Sequence, residues 1–322
     1  MHQRLKMIKL KAWIVFALAA GLLLQSCAPK PTETPILKIA LLPVIDAVPI
    51  YAAQQEGLFE KHGVQVEIIP VGAAPEREQL ISANQADGEI NETASVMLFN
   101  RESTQLQIVR YALRPTADSP HFYILTSAKS GITKVDQLKG VEIGVSQGTV
   151  IEYVTDRLLE SQGFTADEIK VLAVPKISDR MNLLASGELS AGTMPDPLAS
   201  LAMQQGSVNV IDDSKYPQYG YSVISFRKAV IDANPEAIKA FLAALEEATQ
   251  QVNADPAKFA NIMSEQKLVP APLLTSYRLP TYPTAGVPTL DEWNDTMQWM
   301  LDKQLLPAKV DYSTSVTDQF LP

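Results

Sequence analysis

The feature that most constrains the fold is an alternation of short apolar runs with amphipathic segments of helical character. The apolar runs read ILKIALL, VQVEIIP, LQIVRYAL, VEIGV and IKVLAV. Strand-like runs of this kind, separated by helix-like stretches, are typical of parallel strands joined by crossover helices. The sequence therefore predicts an α/β fold.

One part of the pattern occurs twice. The two similar stretches are residues 68–94 and 171–197. Their alignment sets Arg77 opposite Arg180, and the same offset sets Asp46 opposite Thr149. A repeat of this length indicates two similar domains. Because ligands of open α/β sheets bind beyond the carboxyl ends of the strands, we expect Asp46 and Thr149 to face one shared cleft.

The N-terminal residues 1–26 have the layout of a secretory signal, with basic residues followed by an apolar run. The run ends in LQSC, which resembles the lipobox of bacterial lipoproteins. Cys27 is the only cysteine, so it cannot form an internal disulfide, and we predict that it is lipidated. Residues 27–35 then form a tether. A buried cysteine after a membrane helix is the simpler alternative.

Composition excludes several classes of function. The formal net charge is −9, and loss of the basic signal would make it more negative, so nucleic acid is not an expected partner. The three histidines, His2, His62 and His121, lack the spacing of metal ligands. A phosphate-binding loop ending in Gly-Lys-Ser/Thr is absent from the sequence. We expect neither a metal nor a cofactor.

Several motifs together carry a family resemblance. They are the lipobox, the Glu-Gly-Leu-Phe turn at Glu56–Phe59, the segment ADGEIN and an Asp-Pro pair at Asp196. With these motifs, the chain from Ile36 to Phe241 resembles the solute-binding proteins of ABC importers. The branch concerned serves nitrate, alkanesulfonates, taurine and the pyrimidine precursors of thiamine. The cysteine-rich motif of the precursor-binding enzymes in this branch cannot be present here.

The resemblance implies a two-lobed type II periplasmic-binding-protein fold, with two α/β domains joined by two crossover strands. The crossings are expected near Arg114–Phe122 and Tyr221–Phe226. Domain I would comprise residues 36–116 and 225–322, and domain II residues 120–222. The resemblance also implies a monomer, anchored by lipid to the outer, extracytoplasmic face of the cell membrane. Its partners would be a small-molecule ligand and the permease and ATPase subunits of an importer.

Asp46 is the first candidate ligand contact. It lies between Pro43 and Pro49, which restrict the backbone at both ends of the turn and suit a rigid contact loop. A carboxylate there would accept hydrogen bonds from N–H or O–H groups of a ligand. Alternatively, Asp46 caps a helix that begins at Ala47.

The other candidate ligand contacts follow predicted strands or lie near the crossings. They are Asn91, Glu92, Ser146, Thr149, Asp196, Tyr221 and Arg114. Ser146 lies in a G-x-S-x-G motif, but no histidine follows His121, so the order of catalytic residues in an α/β hydrolase is impossible. Thr149 and Glu152 have the spacing of a capping box.

The sequence thus predicts a protein that binds a small solute between two closing lobes and is not an enzyme. Three candidate carboxylates, Asp46, Glu92 and Asp196, favour a neutral or cationic nitrogenous ligand such as a pyrimidine-like or vitamin-like ring. A sulfonate, taurine or nitrate is the alternative, which arginines in the cleft would favour. An enzyme on the same fold is disfavoured by the export signal and the scarcity of histidine and cysteine. A sensor lipoprotein is a further alternative.

Overall fold

The computed structural model describes residues 35–322. The predicted signal peptide and the predicted lipidation of Cys27 lie outside the described residues. The ten strands form two five-stranded sheets. Their bounds are β1 Ile36–Leu41, β2 Gln65–Pro70, β3 Gly88–Asn91, β4 Leu106–Leu113, β5 Phe122–Thr126, β6 Glu142–Val145, β7 Lys170–Ala173, β8 Ala191–Pro195, β9 Val208–Asp212 and β10 Ser222–Arg227.

The two sheets share one topology. The first has the order β2-β1-β3-β10-β4 and the second has the order β7-β6-β8-β5-β9. In each sheet four strands run in one direction, and the fourth strand in the order runs antiparallel to both of its neighbours. The predicted α/β fold with two similar halves is therefore confirmed, and each sheet with its helices is one lobe.

Twelve α-helices surround the sheets of the described chain. They are α1 Val48–Gln55, α2 Leu58–His62, α3 Ala74–Ser82, α4 Thr93–Asn100, α5 Val150–Glu160, α6 Ile177–Ser186, α7 Leu198–Gln204, α8 Lys228–Ala233, α9 Pro235–Ala254, α10 Ala260–Glu265, α11 Leu290–Asp302 and α12 Tyr312–Ser315. The longest, α9, buries the apolar stripe that its helical spacing predicts. On that stripe Phe241 stacks on Phe59 of α2, with ring centroids 5.4 Å apart.

The chain crosses between the lobes twice. The first connection joins β4 to β5 across residues 114–121, close to the predicted position. The second connection, residues 213–221, precedes Ser222. Residues 222–226 lie inside the first sheet, where β10 pairs with β3 and β4, so they do not form the crossing predicted there. The chain consequently returns to the first lobe at Ser222, three residues before the predicted boundary.

The C-terminal helix α11 contacts both lobes. It packs on α4 of the first lobe. Towards the second lobe, the indole N–H of Trp299 donates to Asp156 of α5 at 2.8 Å, and the Tyr153 hydroxyl donates to Asp295 at 2.6 Å. Through these contacts α11 bridges the lobes, whereas the sequence-based boundaries place it in domain I alone.

A buried polar cluster ties the two connections together. The backbone N–H of His121 donates to Asp213 at 2.8 Å, and Nδ1 of the His121 ring lies 2.7 Å from the carbonyl oxygen of Gly220. Asp213 is fully buried, and burial raises the pKa of its carboxyl group to about 7. The relative position of the lobes therefore depends on close packing around Asp213.

Replacement of Gly220 tests that packing. A Cβ atom at this position would lie 1.9 Å from Oδ2 of Asp213, so Gly220→Ala should destabilise the protein by roughly 1–3 kcal/mol through overpacking. Urea denaturation measures the loss. Gly72→Ala is the control, because its Cβ would meet nothing closer than 3.7 Å. Equal stability of the two variants would contradict the expected clash.

The raised pKa of Asp213 predicts a pH dependence of folding. An unfolded aspartate has a pKa near 3.8, so between about pH 4 and 7 the folded protein binds more protons at Asp213 than the unfolded chain does. Stability should therefore fall as pH rises through this range. Asp213→Asn should flatten the fall, measured by urea denaturation from pH 5 to 8. Burial also raises the pKa of Glu89 to about 7, so Glu89 gives a similar pH dependence, which the Asp213→Asn variant retains. An unchanged slope would contradict the assignment.

Candidate functional site

A small cavity lies between the lobes where the strand ends of both sheets meet the second connection. Its volume is about 10 Å³, which is room for about one water molecule, so a ring-sized ligand requires the lobes to separate. The lining residues come from the start of α4, the start of α5, the second connection and α11. They are Glu92, Thr93, Ala94, Val150, Tyr153, Tyr219, Tyr221 and Thr296.

The cavity has an aromatic wall. Tyr153 and Tyr219 pack edge to face with ring centroids 6.0 Å apart, and Tyr216 stacks behind Tyr219 at 5.9 Å. On the other side, Tyr221 packs against the edge of Tyr111 at 5.3 Å. Aromatic rings arranged in this way offer faces and edges to a flat ligand and cost little conformational entropy.

Glu92 is the acidic residue in the lining. It precedes α4, and its Oε2 lies 3.4 Å from Nη2 of Arg77. Arg77 is itself held in place, because it donates to the carbonyl oxygen of Ile90 at 2.8 Å and lies 3.1 Å from the buried carboxylate of Glu89. Glu92 is thus oriented from one side, and its carboxylate can accept a hydrogen bond from a ligand on the other.

Asp46 faces the connections between the lobes. It lies in a 3₁₀ turn, Ile45–Ala47, and accepts a hydrogen bond from the hydroxyl of Ser222. Its other oxygen is 3.7 Å from Nε2 of His121. The helix α1 begins at Val48 without a side-chain cap, so the helix-cap alternative for Asp46 is not what the structure shows. Asp46 does not line the cavity.

Asn91 and Asp196 are also engaged within the protein. The amide of Asn91 donates to Glu89 at 2.6 Å inside the first sheet. One carboxylate oxygen of Asp196 accepts from the Ser200 hydroxyl at 2.5 Å, and the other accepts from the hydroxyl of Tyr277. Of the three carboxylates predicted to meet in the cleft, only Glu92 lines the cavity.

Ser146 and Thr149 lie at the second-lobe side of the cleft, just before Val150. The Ser146 hydroxyl donates to the carbonyl oxygen of Pro175 at 2.9 Å. Thr149 caps α5 by accepting from the N–H of Ile151 at 3.2 Å. Glu152 accepts from the N–H of Gly148 at 2.7 Å, one residue earlier than the predicted capping box requires.

Tyr221 and Arg114 both pack against the ring of Tyr111. The Tyr221 hydroxyl accepts from Thr93 at 3.1 Å and closes one side of the cavity. Arg114 donates to Glu292 at 2.7 Å, and its guanidinium lies 4.5 Å from the centre of the Tyr111 ring. Arg114 is therefore neutralised behind the aromatic wall rather than presented to the cavity.

Sequence reasoning missed several lining residues, among them Tyr153 and Thr296. Tyr153 lies on α5 one helical turn after Thr149, and this spacing could have identified it. Thr296 belongs to α11, more than 130 residues after the end of α5, and only the folded chain brings it to the cleft.

A larger groove of about 370 Å³ lies elsewhere, on the first lobe between α2 and α9. It is lined by Pro35, His62, Gly63, Glu236, Ala237, Lys239, Ala240 and Ala243, and it lies next to the amino ends of β1 and β2 rather than at the carboxyl ends of strands. Within residues 35–322 no cluster of three potential metal ligands occurs, and no helix has the length and apolar character needed to cross a membrane. The cavity between the lobes therefore has the geometry of a ligand site.

Comparison with known proteins agrees with this architecture. A protein of Brucella abortus named as a binding protein is 25% identical over 222 residues, which is 66% of this chain and 65% of the relative. The match thus spans just under two thirds of the relative's length. The 4-amino-5-hydroxymethyl-2-methylpyrimidine phosphate synthase of Aspergillus parasiticus is 24% identical over 224 residues, covering 65% of this chain and 64% of that protein.

Solved structures show the same fold. The periplasmic aliphatic sulphonate binding protein SsuA from Escherichia coli superposes with a TM-score of 0.74 at 20% identity, covering 88% of this chain and 92% of that one. The two-lobed periplasmic-binding-protein fold implied by the resemblance is therefore confirmed. The profile of the NMT1/THI5-like family matches residues 45–259, which is more than half of the chain, and the protein belongs to that family.

Proposed function

We propose that this protein is the extracytoplasmic solute-binding component of an ABC import system. Its solute is a small nitrogenous compound with a flat, pyrimidine-like or vitamin-like ring, bound between the lobes. The observation that carries this proposal is the cavity walled by Tyr153, Tyr219 and Tyr221 with the carboxylate of Glu92 at its edge. The tyrosine rings would stack on the ligand ring, and Glu92 would accept from its N–H groups.

The charges around the cavity favour a nitrogenous ring over a simple anion such as nitrate or an alkanesulfonate. Three arginines close to the lining, Arg77, Arg114 and Arg157, are each paired with a carboxylate, of Glu92, Glu292 and Asp295 respectively. None of these three guanidiniums is therefore free to bind an anion alone. A sulfonate is the second candidate, because the similar Escherichia coli protein is named for sulfonate binding.

The residues that line the cavity are suited to binding rather than to catalysis. The described lining contains no histidine or cysteine, and its one carboxylate is held by Arg77. The relative named as a pyrimidine phosphate synthase is only 24% identical, and its activity is not proposed for this chain.

The proposal has three further parts. Cys27 is lipidated, the protein is a monomer, and it delivers its solute to permease and ATPase subunits. A sensor protein would use the same ligand site.

The contribution of Glu92 can be measured with a matched pair of variants. Glu92 and Glu78 both lie within 3.5 Å of Arg77, but only Glu92 lines the cavity. Glu92→Gln should weaken binding of 4-amino-5-hydroxymethyl-2-methylpyrimidine about tenfold, because a hydrogen bond to a charged group is worth about 1.5–3 kcal/mol. Glu78→Gln should leave the Kd within about twofold. Isothermal titration calorimetry provides both values, and an equal loss in the two variants would argue against a ligand contact.

Asp46 is proposed as a contact that reaches the ligand once the lobes part. Asp46→Ala should abolish the rise in Tm that a bound solute produces by mass action. Ser222→Ala is the control, because it removes the hydrogen bond to Asp46 but keeps the carboxylate, and it should retain the rise. A thermal-shift screen of pyrimidines, vitamins, amines and sulfonates supplies the measurement. If Asp46→Ala also retains the rise, Asp46 serves only to hold Ser222.

A further inference from the structure

Arg180 of α6 is a fully buried arginine in the second lobe. Its aliphatic stem passes two glycines, Gly144 of β6 and Gly192 of β8, which are paired in register. A Cβ atom at Gly144 would lie 3.3 Å from Cγ of Arg180, and one at Gly192 would lie 3.2 Å from the same atom. The two strands thus leave the space through which Arg180 reaches the carboxyl end of β6.

The charge of Arg180 has no counterion among the described residues. Its guanidinium makes two long contacts, both at 3.5 Å, to the carbonyl oxygen of Gly144 and to the hydroxyl oxygen of Ser146. Its Nε has no hydrogen-bond partner in the described structure. Burial lowers the pKa of Arg180 to about 10, so the group is still charged at neutral pH.

The lack of a counterion for Arg180 is exceptional when it is compared with the equivalent arginine of the first lobe. Arg77 occupies the equivalent position in the first lobe and is paired with Glu89 and Glu92. A buried charge is normally paired, because its loss of hydration is not otherwise compensated. The first lobe follows this rule within its own residues, whereas the second lobe supplies no carboxylate to Arg180 among the described residues.

The position of Ser146 shows where a compensating anion could bind. Ser146 follows β6 directly, is partly exposed, and lies between the guanidinium of Arg180 and the start of α5. Val150, four residues later, lines the cavity between the lobes. The positive end of the α5 helix dipole points to the same place, which adds to the attraction for a negative group.

We propose that Ser146 and Arg180 form an oxyanion subsite, so that the solute carries a phosphate, sulfonate or carboxylate group in addition to its nitrogenous ring. This inference rests on the proposed function and specifies its ligand class. The Ser146 hydroxyl would donate to the oxyanion, and Arg180 beneath it would supply the positive charge. Glu92 on the first lobe and Arg180 on the second give the cleft opposite charges at its two sides, which orients a dipolar ligand.

A matched pair of ligands tests the subsite. The probes are 4-amino-5-hydroxymethyl-2-methylpyrimidine and its phosphate ester, titrated by calorimetry at one ionic strength. The wild-type protein should bind the phosphate ester at least tenfold more tightly. Arg180→Met, which keeps the aliphatic stem, should reduce this ratio to about one. Lys139→Met removes an exposed charge of the same lobe and should preserve the ratio. Equal affinity of the wild type for both probes would overturn the subsite but leave the proposed function intact.

Ser146→Asp provides a test that does not depend on the choice of solute. The new carboxylate would lie beside Arg180 and act as its counterion, so the unliganded variant should melt at a higher temperature than the wild type. It should also lose the preference for the phosphate ester. A lower Tm, or a retained preference, would overturn the proposal. Inorganic phosphate alone should raise the wild-type Tm less than the ester does, and an equal rise would show that the subsite takes a free anion and not a group of the solute.

Discussion

In each sheet the antiparallel strand is the one that directly follows a connection between the lobes. The antiparallel strand β5 enters the second sheet directly after the first connection, and β10 enters the first sheet directly after the second. The first lobe therefore cannot be assembled from one continuous segment, whereas all five strands of the second sheet lie between the two connections. This arrangement keeps the two connections side by side, and it directs the carboxyl ends of the parallel strands of both sheets towards one gap.

Two further elements limit how the lobes can move. His121 and Asp213 hold the connections together at the base of the cleft, and α11 bridges α4 and α5 at its side. The Ser222 hydroxyl, at the end of the second connection, donates to Asp46, so the first strand-to-helix turn is joined to that connection. A change in the separation of the lobes would alter this contact as well as the cavity.

The polar groups on the two sides of the cleft differ because the two similar halves treat their buried arginines differently. The repeat places a buried arginine under each sheet, but only the first lobe surrounds it with carboxylates. Consequently one side of the cleft presents Glu92, which is held in place by Arg77, and the other presents Ser146 above an uncompensated guanidinium. A ligand with a hydrogen-bond-donating ring and an anionic group would match both sides, whereas a simple anion would match only one.

Much of this architecture could be predicted from local pattern. The strands, the repeat and the stripe of α9 depend on the spacing of apolar residues along short segments, and that spacing is visible in the sequence. The candidate residues were harder to judge, because a carboxylate after a strand looks the same whether it faces a ligand or a neighbouring hydroxyl. Asp196 illustrates this difficulty, since its partner Tyr277 lies 81 residues away in a proline-rich segment that has no regular pattern.

The sequence by itself determined the α/β class and the two similar halves. Only the tertiary structure decided which side chains share the cavity, where the second crossing lies, and that α11 belongs to both lobes. The physical reason is that periodicity records which face of an element is buried. The identity of the group that covers that face, or neutralises a charge such as that of Arg180, depends on contacts between residues far apart in the chain.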